Sequence, residues 1–330
     1  MINEIYSNYG LHAAELIRMG IYEGFWIRNK VYILVPLLGR KEEELTEIKK
    51  LGDYMIAQGD MMVTTFVPNV HGYYVSKIQG KDYILVKCNR HGTRQWEGEG
   101  RELAYFHYRG KHFSEKVEQL NRIGQWKTLW ETRLEQLERF WQSKVINHPN
   151  DSFDMLFVSS FPYFLGLTEN AIQYIVDTEL DDQPKAFDGA TVCYQKYACH
   201  TMNEYQRVKV PFQWVYDHPG RDIAEWVRSA LFTNKESTEI IRFLNEYEQV
   251  MPLSSFAWRL MYARLLFPLH YFEEVEGYYS VEDEGKKALR ERKLQKIVDS
   301  AADHQRFLGG FYDMIQLPIG KLNIRKVEWL

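Results

Sequence analysis

The apolar pattern of this chain changes period once, and that change limits the folds open to it. Up to residue 88 the runs read mainly as strands, and from about residue 100 mainly as helices. The stretch "EGFWIRNKVYILVPLL" is rich in β-branched and aromatic residues around Arg28-Asn29-Lys30, which predicts a hairpin. "KEEELTEIKKLGDYMIAQG" then places Leu45, Ile48, Leu51, Tyr54 and Met55 at helical spacing, with Gly59 at the end. "MMVTTFVPNVHGYYVSKIQGKDYILVKC" offers two or three more strands, with turns at Asn69 to Gly72 and Gly80 to Asp82. Residues 89 to 99, "NRHGTRQWEGE", combine glycine, charge and weak periodicity, as a linker does.

Beyond the linker, "GRELAYFHYRGKHF" sets Leu103, Phe106, His107 and Gly110 on one helical face. "GQWKTLWETRLEQLERFWQSKVI" carries a wide stripe of Trp126, Leu129, Trp130, Leu134, Leu137, Phe140 and Trp141. Further helices are expected at about 154–178, 221–232, 236–249, 253–270 and 282–307, and only 190–216 looks strand-like in this half. The alternating charges of "VEDEGKKALRERKLQK" read as a solvated helix face. The division is thus a β-rich lobe over 1–88, a linker over 89–99 and a helical lobe over 100–330.

Composition narrows the class. A length of 330 residues suits two lobes better than one core, and 45% apolar with 26% charged residues excludes disorder over most of it. Net charge of −4 and a pI near 6.2 supply no electrostatic reason for nucleic acid or an anionic membrane as partner. The apolar runs "VYILVPLL" and "DMLFVSSFPYFLGL" fall short of the roughly 20 residues of a membrane-spanning helix. "MINEIYSNYG" lacks the parts of a secretory signal, so a soluble protein made in the cytoplasm is expected. Cys88, Cys193 and Cys199 are too few and too scattered for a disulfide framework.

Two stretches raise the question of chemistry: "ATVCYQKYACHTM" at 190–202 and "WVYDHPGRDIAEW" at 214–226. The second, together with "ELAYFHYRG", resembles the aminoglycoside phosphotransferase and choline kinase branch of the protein-kinase-like fold, in its D-x-P-x-x-D-L/I segment and its Leu-Ala-x-x-His helix. More narrowly, the set resembles the CotS family of spore-coat proteins. The resemblance covers essentially the whole chain. It implies an α+β, two-lobed protein-kinase-like fold of the aminoglycoside phosphotransferase type, with His107, Asp217, Pro219 and Asp222 as retained framework.

Phosphoryl transfer on that fold needs an Asp to take the hydroxyl proton, an Asn and a second Asp to hold Mg²⁺, and a Lys to grip the nucleotide phosphates. Laid on the family's H-G-D-x-x-x-x-N loop, the His falls on Tyr194, the Gly on Gln195, the Asp on Lys196 and the Asn on Thr201. A cation at Lys196 accepts no proton at neutral pH and repels Mg²⁺. "YQRVKVPFQWVY", residues 205–216, holds no acid where the metal-binding Asp belongs. The phosphate-gripping Lys position falls on Val35 or Pro36, and Gly20 and Gly24 are a weak echo of a glycine-rich loop.

The resemblance therefore implies a pseudokinase with a degenerate catalytic region over 190–222, no catalytic residue, no metal and no cofactor. It implies a structural or interaction role in the bacterial endospore coat, with synthesis in the mother cell and other spore coat proteins as partners. Two rivals stay open. One is an ATP-dependent small-molecule phosphotransferase in which Asp188, Asp217 or Asp222 stands in for the missing acids; the other is a module that binds a ligand between the lobes without turnover. Bulky Tyr194, Gln195 and Lys196 in place of small loop residues suggest a filled cleft.

Read by themselves, the same residues have plainer roles. Asp222 suits a helix N-cap, Asp217 a turn before His218-Pro219, and His107 a packed, hydrogen-bonded histidine. Cys193, Cys199 and His200 lack the spacing of a metal site, and the two cysteines read as small core residues. His91-Gly92 and His148-Pro149-Asn150 read as surface loops, and Ser159-Ser160 and Ser254-Ser255 lack an esterase elbow. The 22 Tyr and 9 Trp fit packing first and interface anchors second.

Overall fold

The hairpin expected around Arg28 and Asn29 forms. The fold is that of a computed structural model in which residues 1–89, 98–185, 188–198 and 208–327 are described. Helix α1 (Ile2–Tyr9) precedes strands β1 (Ile17–Met19), β2 (Tyr22–Ile27) and β3 (Lys30–Pro36). Helix α2 (Glu42–Ala57) follows, then β4 (Thr65–Val67), β5 (Val75–Ile78) and β6 (Lys81–Asn89). The strands build one antiparallel sheet in the order β1-β2-β3-β6-β4, with β5 also paired to β6. Its register sets Glu23 opposite Leu34 and Val35 opposite Ile84.

Strand β3 is apolar at consecutive positions because both its faces are buried. Tyr32 and Leu34 join Ile5, Tyr9, Phe25, Ile78 and Leu85 in one cluster, while Val31, Ile33 and Val35 alternate to the other face and are buried too. Helix α1, which supplies Ile5 and Tyr9, is not expected from the sequence; eight residues give two turns, too few for a periodic signal.

Helix α2 does more than cover the sheet. The Glu47 carboxylate accepts the backbone N–H groups of Glu118, Gln119 and Leu120 at 2.8–3.0 Å. That segment in turn pairs with β8 (Trp214–Asp217), where Tyr216 N donates to Leu120 O and Arg122 N to Tyr216 O, each at 2.8 Å. Three amides on one partly exposed carboxylate lead us to expect that Glu47→Ala costs about 1–2 kcal/mol in urea unfolding, because water replaces only part of what is lost. A Glu47→Gln loss equal to that of alanine would show that the charge carries the whole effect, and a Gln variant as stable as the wild type that the charge is irrelevant there.

Helix α3 (Glu99–Lys111) buries Leu103, Phe106, His107 and Gly110, as their spacing requires. Gly110 lies against β7 (Thr191–Tyr194), where a Cβ would stand 2.7 Å from Thr191 Oγ1 and Val192 N. Only glycine lets the helix approach so closely. Strands β7 and β8 pair antiparallel, Cys193 opposite Val215. All these elements belong to one compact unit comprising Met1–Arg122, Ala190–Asp222 and Phe243–Pro252.

The second unit, Ile123–Gly189, Ile223–Arg242 and Leu253–Leu330, is helical. It is built from α4 (Trp126–Ile146), α5 (Ser152–Asp181), most of α6 (Gly220–Phe232), the start of α7 (Ser237–Glu248), α8 (Ser255–Leu266), α9 (Leu269–Tyr279), α10 (Glu284–Asp299) and α11 (Ala301–Met314). The helix expected over 253–270 ends at Leu266, with α9, not expected from the sequence, following it to Tyr279, and the single helix expected over 282–307 is two. Pro268 forces Phe267 out of the helical region and ends α8, and Ser300 divides α10 from α11. Helix α8 is buried on every side, Arg259 and Arg264 included, so it shows no polar stripe. In α4 the expected stripe narrows to Trp126, Trp130, Leu134 and Leu137, while Leu129 is 48% exposed. No described helix is long and apolar enough to cross a membrane.

Candidate functional site

Four pieces of the first unit converge on His107: α3, which carries it, β7, the turn from β8 into α6, and residues 243–252. The ring is fully buried, with Nδ1 2.8 Å from the Tyr247 hydroxyl and Nε2 3.1 Å from Asp222 Oδ2. Because the Tyr247 hydroxyl donates to Met251 Sδ, the Nδ1–H of His107 is the donor toward Tyr247.

Asp222 is also fully buried, and its two oxygens accept the Tyr194 N–H at 3.1 and 2.9 Å. Burial pushes its carboxyl above the usual range, against the opposing hydrogen bonds from His107 and the Tyr194 amide. The N-cap reading of Asp222 is corrected accordingly. Its carboxylate fastens β7 and α3 to the first turn of α6. Burial also raises the Tyr194 and Tyr247 phenols well above their ordinary values, so both stay protonated.

Arg221 closes the other side of the turn. Its Nε donates to Tyr194 O at 3.0 Å, Nη1 to Asp217 Oδ2 at 2.9 Å and Nη2 to Gln195 O at 3.2 Å. Asp217 acts as the turn former expected of it, with Oδ1 accepting His218 N–H at 2.8 Å, and buried Pro219 lies inside the turn. Asp188 serves the second unit, where Oδ1 accepts from the Ser254 hydroxyl at 2.6 Å and Oδ2 from Lys185 N at 2.7 Å. The three acids considered as substitutes are each held in a local hydrogen-bond set.

Of the residues laid on the catalytic loop, Tyr194 ends β7 and is buried, whereas Gln195 and Lys196 are exposed. Thr201, Cys199, His200, His91 and Gly92 lie outside the described residues. Val35 is 2% exposed within β3, and Pro36 ends that strand. The filling expected of Gln195 and Lys196 is therefore not made by those side chains.

Sequence reasoning missed the part of residues 209–214, which pack against α2, β4 and the start of β2. Lys209 is 2% exposed; its Nζ lies 2.6 Å from Asp60 Oδ2, 3.1 Å from Glu102 Oε1 and 5.0 Å from the centre of the Phe106 ring. Its backbone bonds Met62 O and Thr64 N at 2.8 and 2.9 Å. Pro211 sits on α2 at Gly52, where a Cβ would stand 3.0 Å from its Cγ. Phe212 stacks on Phe66 of β4 at 5.2 Å, and Arg40 Nη2 donates to its carbonyl at 3.1 Å. Gln213 shares a hydrogen bond with Tyr22 at the start of β2, and its carbonyl accepts Gln195 N–H at 2.7 Å. Trp214 is fully buried beside Phe106. The available signal was "VKVPFQWV", an apolar run interrupted by Lys209 and Gln213.

Among the described residues, one group could hold a metal: His107 N, Cys193 Sγ and an Asp222 oxygen lie within 4.8 Å of one another, all buried. Those atoms already have partners. Cys193 Sγ donates toward Asp217 O and His218 O at 3.5 and 3.6 Å, and an ion would have to break the bonds that hold Asp222 to Tyr194 and His107. Cys88 is also buried, and burial pushes its thiol up to about 11, far from thiolate chemistry.

Comparison with known proteins follows this geometry. A family model described as "Spore coat putative kinase YutH" matches residues 2–311. The chain is 40% identical over 329 residues to the endospore coat-associated protein YutH of Bacillus subtilis (strain 168), covering 99% of this chain and 97% of the relative. It is 22% identical over 244 residues to spore coat protein S of the same strain, covering 70% and 67%. The aminoglycoside phosphotransferase of Alicyclobacillus acidocaldarius subsp. acidocaldarius DSM 446 superposes with a TM-score of 0.62 at 13% identity, covering 93% of this chain and 94% of that one. A spectinomycin phosphotransferase in complex with ADP and spectinomycin also superposes at 0.62, with 11% identity and 92% and 97% coverage. These likenesses establish the α+β, kinase-like phosphotransferase fold. Matched along nearly its whole length, the chain belongs to the spore coat putative kinase YutH family.

Proposed function

We propose that this protein is a catalytically inactive kinase-fold component of the bacterial endospore coat, made in the mother cell and deposited on the spore, with other coat proteins as partners. The coat assignment draws on the relatives named above. The inactivity draws chiefly on one observation. Pro211, Phe212 and Gln213 occupy the space between α2, β4 and the start of β2, and residues 208–216 carry no carboxylate. A hard dication needs oxygen ligands, and the surroundings of β7 and β8 offer Asp217 and Asp222 only as partners of Arg221, Tyr194 and His107. At the position laid on the phosphate-gripping lysine, Val35 adds no charge.

The test is binding of Mg·ATP to the purified chain, by calorimetry and by thermal shift. At millimolar nucleotide, a site with a Kd of about 10 µM would add about 2.7 kcal/mol of stability. The expected result is no shift. Metal-dependent binding would favour a phosphotransferase with displaced residues, and metal-independent binding a ligand module. The coat role has its own test: spores lacking the gene should show altered coat composition, and an unchanged coat would count against it.

A further inference from the structure

Two histidines of the second unit meet where α6, α9 and α11 pack together. His270 stands in the first turn of α9 and His304 in the first turn of α11. Their ring centres are 5.2 Å apart with planes at 89°, and Phe232 at the end of α6 lies 4.5 Å from one ring and 5.6 Å from the other. Both nitrogens of His270 and Nε2 of His304 are buried without a hydrogen-bond partner among the described residues. Native interiors rarely leave such groups unpaired, because a buried group without a partner has lost its hydrogen bonds to water and gained none in return.

The surroundings favour the neutral rings. One turn before Phe232, buried Arg228 donates to Glu225, to the Arg264 carbonyl and, at 3.0 Å, to the Phe267 carbonyl. It is fixed there and cannot swing away. Glu225 is shared with Arg264 of α8 at 2.9 Å, so its charge is already balanced by two guanidinium groups. The charges that act on the two rings are Arg228 and, on His270, His304. Burial, reinforced by those charges, pushes His270 well below its ordinary value and His304 to about 4.

We propose that the His270–His304 pair is an acid-sensitive joint: neutral, it lets α9 and α11 pack on the end of α6, and protonation of either ring parts those helices. The sign follows from linkage. An imidazole with a folded value near 4 and an ordinary value of 6.5 leaves stability intact above pH 6.5; stability is lost progressively as pH falls from 6.5 toward 4.

Hydrogen exchange on the full chain at about pH 7 and pH 5, corrected for intrinsic rates, reads this directly. His304 alone should raise the opening equilibrium of Leu269–Tyr279 and Ala301–Met314 about twentyfold between pH 7 and pH 5, the change in relative proton binding by imidazoles of 6.5 and about 4. Protection in the first unit should stay unchanged. His304→Phe and His270→Phe should each blunt the acid response. Unchanged protection of the two helices, or a loss spread evenly over both units, would overturn the proposal. Should the variants fail to fold, imidazole titration of the wild-type chain by NMR still decides: resistance to protonation until about pH 5 supports the joint, and two rings titrating near 6.5 in an intact fold sink it.

Discussion

Asp222→Ala lowers the free energy of unfolding by about 3–5 kcal/mol, the loss expected when one member of a buried, charge-bearing set is removed. Alanine leaves the Tyr194 N–H without an acceptor and His107 Nε2 without its partner in a region shut off from water. Three elements then lose a common fastening: α3, β7 and the first turn of α6. Asp222→Asn keeps the shape and one acceptor oxygen, so it should cost clearly less. Urea unfolding of both variants distinguishes this from the N-cap reading, under which alanine would cost only about 1 kcal/mol. A loss that small would mean that the bonds to Tyr194 and His107 contribute little.

Phe212→Ala is expected to cost about 3–4 kcal/mol, through lost burial and the cavity left between α2 and β4. Phe212 is 1% exposed, stacked on Phe66 and held at its carbonyl by Arg40. Amide exchange should rise in β4 and in the turn around Gly52, since Pro211 loses its neighbour there. A different outcome would be informative. If Phe212 were a loose flap over a nucleotide site, its removal would cost under about 1 kcal/mol and Mg·ATP would bind the variant. That result would undo the inactive reading along with the packing argument.

Much of the architecture was legible because periodicity is local. The β2–β3 hairpin, α2, α3, α4 and α5 all carry patterns long enough to repeat. Helix α1 was not legible, being two turns long, nor was the break between α8 and α9, although Pro268 was the available clue. The site divides in the same way. The uncharged Val35 and the cation at Lys196 stand in the sequence for any reader who has a family pattern to lay over them. The burial of Lys209 between Asp60 and Glu102 does not, because its partners lie 149 and 107 residues away.

Asp222 shows where the boundary falls. By itself the sequence determined that an acid stands at the start of an amphipathic helix, after Asp217, Pro219 and a turn, and that the chain has a β-rich first part and a helical second part. Only the tertiary structure decided that this acid accepts from Tyr194, 28 residues back, and faces His107, 115 residues back. The reason is physical. Hydrophobic periodicity reports which side of an element avoids water, a property of one element alone, whereas the partner of a buried carboxylate is whichever donor the packing of several elements brings within about 3 Å.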